Sequence, residues 1–429
     1  MCLSSSPLHL ARLCTLVSAK SDLQNPHTAI ATRFTSGAPG FDSWSYCTYT
    51  ETDDYYGQCD GCSVEKQAGT FYVGLLANGS AALPAFFPAE TFPVFPAILN
   101  AVHQRGVSVK ILTNNYNTPT CRGNIAPLDY LALNGVEIVY YASTTFMHAK
   151  YLHVNGNKTS VSSVNFSWTS FNKNREAGII VSGEDAMPLM NMMHSVFLDD
   201  LAAGIPYTVN QTYSASDMAI ITSKNSYPVV IPAPQQFPGN YVTPQPKPIA
   251  GTSTVTAFTS PDDALKTLLA DVTSATKSFQ LHMYQITDPT LCTLMEKLHT
   301  SDLQTPLKVF SQLLLEKDSA AAHTCYNQLL QAGMQVRLTP SYYTYSHQKY
   351  WIVDGERMGL STGNWSPTDY PPVLTVDGSY PPFGDADWQR VNRDFNLLVK
   401  GNADFLSIFS NTFEQDYVRG SWYSSSNPL

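Results

Sequence analysis

The sequence predicts an α/β protein of two similar lobes, each a mixed β-sheet flanked by helices, related by a pseudo-two-fold axis. Three observations lead there. The chain has 429 residues, more than one ordinary hydrophobic core organises. Between Ser223 and Thr254 it carries seven prolines, from Pro228 to Pro248, a density that neither a helix nor a central strand tolerates. On either side of that stretch the same succession of local patterns recurs. The expected division is a first lobe over 25–222, a proline-rich extended linker over 223–252 and a second lobe over 253–429.

Taken in order, residues 1–24 hold a short apolar run, "PLHLARLCTLVSAK", ending in Val-Ser-Ala and interrupted by His9 and Arg12. It fits a degenerate signal peptide about as well as an ordinary N-terminal helix. Further on, "FPAILNAVHQRGVSVKILTNN" reads as a helix followed by a strand, and "YLALNGVEIVYY" (Tyr130 to Tyr141) as a helix end, a glycine stop and a strand. The second half repeats this with "LCTLMEKLHTSDLQTPLKVFSQ" and "QLLQAGMQVRLT" (Gln328 to Thr339). Helices alternating with short β-branched strands imply a sheet layered with helices. Recurrence in both halves implies an internal duplication, with a site at the seam.

Composition narrows the function. Hydrophobic residues make up 43%, charged residues 14% and aromatics 12%, a globular balance. A net charge of -9 argues against a broad basic surface for duplex nucleic acid. No run of 18 apolar residues appears, so no internal membrane span is expected. Of eight cysteines, removal of Cys2 and Cys14 with a signal would leave Cys47, Cys59, Cys62, Cys121, Cys292 and Cys325, an even set compatible with disulfides. Cys59 and Cys62 lack the second pair that a zinc site would need. Glycosylation triplets occur at Asn78, Asn157 and Asn210. A secreted or lysosomal-type glycoprotein, monomeric, is the expectation.

Chemistry concentrates in two stretches, "MHAKYLHVNGNKTSVSSVNFSW" (Met147 to Trp168) and "SHQKYWIVDGERMGLSTGNWSP" (Ser346 to Pro367). His148, Lys150 and Asn155 match His347, Lys349 and Asp354 at offsets of two and seven, and Asn165 and Asn364 each follow their histidine by 17. Alternate residues of a strand share a face, so each histidine and its lysine point the same way. Two imidazoles, two ammonium groups and two amides suit a phosphodiester. One imidazole attacks phosphorus, the other protonates the leaving oxygen, and the lysines and amides hold the non-bridging oxygens, with no metal or other cofactor. Glu176 and Asp394, each the acid of an Asn-Arg-acid triplet before an apolar run, are the expected partners of the second ring nitrogens. Asp394 is expected to stand behind His347.

With these motifs in view, the chain resembles the phospholipase D superfamily, whose signature is H-x-K-x-x-x-x-D followed by a Gly/Ser-rich turn with an asparagine. The second half matches through His347, Lys349, Asp354 and "STGN"; the first has Asn155 in the aspartate's place and "SSVN". The resemblance spans roughly Thr70 to Leu201 and Ser253 to Val418. It implies that the motif aspartate is a structural anchor, that His148 is the nucleophile and that His347 is the general acid. The near-symmetric repeats leave the reverse assignment open. The implied activity is hydrolysis of a phosphatidyl ester, with phospholipid as substrate and peripheral membrane contact. The alternatives are a nuclease of the same superfamily acting on single-stranded nucleic acid and a non-catalytic member.

Several other residues invite blander readings. His153 has strand parity opposite to His148 and belongs behind the site or on the surface. His282, in "FQLHMYQ", reads as a satisfied core histidine, and "MPLMNMMHSVF" as a core helix containing a structural His194. "LPAFFPAETFPVFPA" (Leu83 to Ala97) reads as a packed loop rather than a lipid-dipping one.

Overall fold

The computed structural model describes residues 28–32, 94–114, 125–141, 146–166, 170, 174–209, 212–224, 247–250, 253–300, 310–316, 320–371 and 391–425. The candidate signal segment, most of the proline-rich stretch and the Phe- and Pro-rich loop before Val94 lie outside them, as do Cys47, Cys59, Cys62, Cys121, Asn78 and Asn210.

In chain order the first half holds β1 (Thr28–Thr32), α1 (Val94–Arg105), β2 (Lys110–Thr113), α2 (Ile125–Leu133), β3 (Glu137–Tyr140), β4 (Phe146–Met147), β5 (Tyr151–Val154), β6 (Lys158–Ser162), β7 (Gly178–Ser182), α3 (Met187–Ala202), β8 (Ile205–Pro206) and α4 (Ala215–Ile221). After it come β9 (Lys247–Ala250), β10 (Thr254–Ser260), α5 (Ala264–Thr273), β11 (Ser278–Met283), α6 (Pro289–Thr300), β12 (Phe310–Leu315), α7 (Ala320–Gln331), β13 (Gln335–Leu338), β14 (Lys349–Val353), β15 (Arg357–Ser361), β16 (Asn392–Lys400), α8 (Ala403–Arg419) and β17 (Ser421–Trp422). The expected helix–glycine–strand units are present in both halves. Gly135 and Gly333 end α2 and α7 at φ 87° and 85°, a conformation that favours glycine past a helix C-terminus.

Among the described residues the strands form a mixed α/β architecture of three sheets. A nine-stranded sheet runs β10-β16-β15-β14-β11-β12-β13-β17, with β4 added beside β16; a five-stranded sheet runs β5-β6-β7-β1-β9; a three-stranded sheet runs β2-β3-β8. In the second half the parallel strands β11, β12 and β13 join the β14–β15 hairpin directly. In the first half the parallel pair β2–β3 and the β5–β6 hairpin belong to separate sheets among the described residues. β9 lies inside the proline-rich stretch expected to be a plain linker. It is an edge strand on β1, with Pro248 opposite Ile30, and an edge is where proline leaves no required ladder bond unmade.

Two features lock the halves together. One core cluster mixes Val161, Ile179 and Met193 with Tyr350, Leu397 and Phe413. The other is a backbone exchange: β4 lies parallel to the start of β16, and Arg175 bridges Ser346 in parallel. The His148 amide donates to the Arg393 carbonyl at 3.0 Å and the His347 amide to the Arg175 carbonyl at 2.8 Å. Each of those arginines is pinned by the last long helix of the opposite half. Arg175 reaches Asp416 of α8 with Nε–Oδ2 at 3.0 Å, and Arg393 reaches both oxygens of Asp200 of α3 at 2.9 Å.

Arg175 is 0% exposed and Asp416 likewise. Removing the guanidinium alone leaves a buried carboxylate without its counter-charge. Arg175→Leu is expected to cost about 3–5 kcal/mol, read as a lowered midpoint in urea unfolding.

Candidate active site at the seam of the two halves

His148 follows β4 and His347 follows the bridge residue Ser346, and the chain then enters a hairpin, β5–β6 or β14–β15, that turns at the motif's Asn or Asp. Asn155 and Asp354 take φ 53° and 56°, and the glycines after them φ 70° and 69°. Asn and Asp tolerate that left-handed region better than other side chains, so Asn155 satisfies the same turn that Asp354 makes. The Asp354 carboxylate adds an anchor, accepting from the amides of Thr276, Lys277 and Ser278 at 2.7–3.1 Å. Burial opposes its ionisation, but these donors hold it below the usual carboxylate range. The departure at Asn155 therefore touches the scaffold, leaving the turn in place without the carboxylate anchor.

His148, Lys150, His347, Lys349, Glu176, Asn364 and Asp394 are all buried, whereas Asn165 is exposed. The acids are exchanged relative to expectation. Asp394 is 3.1 Å from Nδ1 of His148, and Glu176 is 3.2 Å from Nδ1 of His347. The backbone exchange is the reason, since each Asn-Arg-acid segment runs beside the opposite half's histidine. Matched hydroxyls hold the acids: Ser163 donates to Glu176 and Thr362 to Asp394, both at 2.6 Å. Lys150 Nζ donates to the carbonyls of His148 at 2.5 Å and Thr362 at 3.2 Å, while Lys349 Nζ donates to the His347 carbonyl at 2.9 Å. Tyr284 lies edge-on to His347, and the Lys349 ammonium is 5.1 Å from its ring centre.

Asp369 is a member of the site that motif reading missed. Its Oδ1 lies 3.1 Å from Nδ1 of His148. Its oxygens also accept from Asn392 at 2.6 Å, Ser366 at 2.7 Å and the Asn364 amide at 2.9 Å. The sequence signal is there once the repeats are compared past the asparagines: five residues after Asn364 stands Asp369, and five after Asn165 stands Ser170.

The electrostatics differ at the two rings. Burial and the Lys150 charge work against a protonated His148, yet the Asp394 and Asp369 carboxylates outweigh them and raise it to about 9. At His347, burial and Lys349 outweigh Glu176 and, with Lys150, lower it to about 4. Burial resists ionisation of Asp369, but the His148 charge and its donors pull it well below the ordinary range; burial and the Asp369 charge push Asp394 up.

By donor type His148, Asp369 and Asp394 could hold a divalent ion, since their ligand atoms lie within 4.8 Å of one another. Three of the four carboxylate oxygens, however, already accept protein hydrogen bonds, and the ring nitrogen sits at hydrogen-bond distance. The trio fits an acid–base set better than a ligand set.

Elsewhere, His282 is bonded by Ser346 at 2.7 Å and faces Gln348 at 3.4 Å, with burial driving it down to about 3. This is a core histidine, as its strand setting implied. His153 is 2% exposed rather than superficial, stacked on His194 of α3 at 5.1 Å between ring centres.

A family model described as "Cardiolipin synthase, PLD-like domain" matches residues 82–199, the part holding the first motif, and the second half carries the complete signature. That match spans less than half of the chain, and over it the chain is similar to phospholipase D-like domains. No curated protein matches it. The solved phosphatidylserine synthase of Haemophilus influenzae Rd KW20 aligns over 77% of this chain and 78% of its own, at 12% identity and a TM-score of 0.50, placing both in the phospholipase D fold. Nuc from Salmonella typhimurium, a phospholipase D family member, aligns over 41% of this chain and 100% of its own at 15% identity and TM-score 0.31. NucT from Helicobacter pylori gives 40%, 100%, 16% and 0.31. The superfamily's enzymes act on phosphodiesters of lipids or nucleic acids.

The glycine of "STGN" has a steric task in this site. A Cβ on Gly363 would stand 2.8 Å from Cγ and Oδ2 of Asp394 and 3.0 Å from Cβ of Asp369. Gly363→Ala is expected to displace the carboxylates from His148 and lower kcat by about a hundredfold. Far-UV circular dichroism should stay unchanged.

Proposed function

We propose that this chain is a metal-independent phosphodiesterase that hydrolyses a phosphatidyl ester through a phosphohistidine intermediate. The observation that carries the reading is the pair of buried histidines, each with Nδ1 held by a carboxylate of the opposite half and each followed by a buried lysine. One imidazole forms a P–N bond as the P–O bond to the leaving group breaks, and the other supplies the leaving oxygen with its proton. Water then attacks phosphorus and gives up a proton to that second ring as the P–N bond breaks and its electrons return to the first ring. Lys150, Lys349 and Asn364 are the cations and amide that would hold the non-bridging oxygens. Asn165, exposed in the structure, would join only through the substrate.

The lipid reading draws support from the description of the matching family model. Phospholipid at a membrane surface is the proposed partner, and a monomer the proposed state. Tyr284 and Tyr345, packed edge-on beside His347, and the exposed Phe166 offer aromatic faces. They favour a second reading, a nuclease that stacks the bases of single-stranded nucleic acid. A secreted or lysosomal setting is proposed as well. The Cys292–Cys325 disulfide between α6 and α7 and the exposed turn at Asn157 support it.

Phosphatidylcholine vesicles and single-stranded oligonucleotides, assayed side by side, separate the two substrates; cleavage of the oligonucleotide alone would replace the first reading with the second. Turnover is expected to persist in EDTA, and loss restored by a divalent ion would refute the metal-free mechanism. His148→Ala and His347→Ala are each expected to abolish steady-state turnover of either natural substrate, and substantial activity in either variant would break the paired-histidine mechanism.

A further inference from the structure

We propose that Asp369 sets the direction of the reaction: with Asp394 it forms a two-carboxylate cradle around Nδ1 of His148, making His148 the proton donor and His347 the nucleophile. This is the opposite of the assignment that the family resemblance implies. It rests on the phosphodiesterase reading above.

The two halves supply nearly the same parts to each ring, and the exception is decisive. Ser163 and Thr362 correspond, as do Asn174 and Asn392, Glu176 and Asp394. In the slot five residues after the motif asparagine, the first half has Ser170, whose hydroxyl meets Asn174 at 3.4 Å, and the second has Asp369, whose carboxylate meets Asn392 at 2.6 Å. His148 therefore faces two acids where His347 faces one. Asp369 is held by the main chain around it as well, since the Ser260 hydroxyl donates to its carbonyl.

The tautomers agree. Nδ1 of His347 lies 2.9 Å from the Ser163 carbonyl oxygen, which can only accept, so Nδ1 carries a hydrogen and the neutral ring keeps its lone pair on Nε2. At His148 a proton on each nitrogen is stabilised by two acids, leaving Nε2–H as the donor. In the forward step the Nε2 lone pair of His347 bonds phosphorus, the P–O bond of the leaving group breaks, and the Nε2 proton of His148 passes to that oxygen. In the second, water bonds phosphorus and returns a proton to His148, and the P–N bond breaks with its electrons going back to His347. The direction of both titrations supports this. His148, facing Asp394, Asp369 and Lys150, is raised to about 9; His347, facing Lys349, Glu176 and Lys150, is lowered to about 4. Activity should therefore fall as pH drops through about 4, when the nucleophile is protonated, and as pH rises through about 9, when the acid is lost.

Asp369 is a positioning residue, and two experiments read its role. In the first, His148→Ala is incubated with bis(p-nitrophenyl) phosphate, whose leaving group needs little acid help, then quenched at alkaline pH and mapped by peptide mass. The adduct is expected on the peptide holding His347, because its hydrolysis lacks the base. An adduct on His148 in His347→Ala, with His148→Ala unlabelled, would overturn the assignment while leaving the phosphodiesterase reading in place. Failure of the wild type to turn over any phosphodiester would remove both. In the second, Asp369→Asn is expected to lower the alkaline limb of kcat by about one pH unit or more. Its kcat on diphenyl phosphate should fall about tenfold further than on bis(p-nitrophenyl) phosphate, with KM little changed and Asp369→Glu partly restored. Equal losses on both esters with an unmoved alkaline limb would make Asp369 merely structural and sink the proposal.

Discussion

The structure depends on an exchange of backbone between its halves. The amide of each histidine is tied to the opposite half, that of His148 to Arg393 and that of His347 to Arg175. The arginines of those segments cross to Asp200 and Asp416 at the ends of α3 and α8. Buried ion pairs of this kind contribute little net stability, but they are intolerant of separation, because either partner left alone is an uncompensated charge in the interior. The exchange thus fixes register at the seam, and register decides which carboxylate meets which imidazole. The shared apolar cluster behind it, from Val161 to Phe413, supplies the adhesion that the charges do not.

Within that frame the two halves have kept backbone geometry and diverged in side-chain chemistry. The hairpin turns are alike at Asn155 and Asp354, although only one carries the charge that gathers three amides. The motif asparagines differ in exposure, Asn364 buried and Asn165 open. Ser170 and Asp369 fill corresponding slots with a hydroxyl and a carboxylate. The turn itself is unchanged by the first of these, since both residues take the same left-handed conformation. The last also adds an electrical difference between the two rings, since Asp369 faces His148 and Ser170 brings no charge to His347.

Much of this was legible in the sequence, and the remainder was not for identifiable reasons. Glycine-stopped helices and short β-branched strands announced the α/β layering, and the equal spacings announced the paired site, because spacing along a strand dictates which side chains share a face. Partnership across the seam was invisible. Asn-Arg-acid triplets signal that an acid is presented, but only the exchange determines that Asp394 serves His148 and Glu176 serves His347. For His153 strand parity left a place behind the site or at the surface open, because it says which face a residue takes and nothing about α3 covering that face. Asp369 lay between the motif asparagine and the Asn-Arg-acid triplet, at a position where the first half has Ser170 and so shows no matching acid. β9 was hidden by its proline, which signals a linker unless the strand happens to lie at an edge.

The placement of Asp416 bears on how the molecule is made. Arg175 belongs to the segment that delivers Glu176 to the site, and its buried counter-ion lies in α8, some 240 residues later in the chain. During synthesis the first half is complete well before that helix emerges, and its guanidinium cannot be taken out of water until then. The first half can collect its own sheet and helices in the meantime, but the loop that presents Glu176 has nothing to close on. The buried Arg175–Asp416 pair therefore closes only once α8 has folded, and with it the segment that presents Glu176.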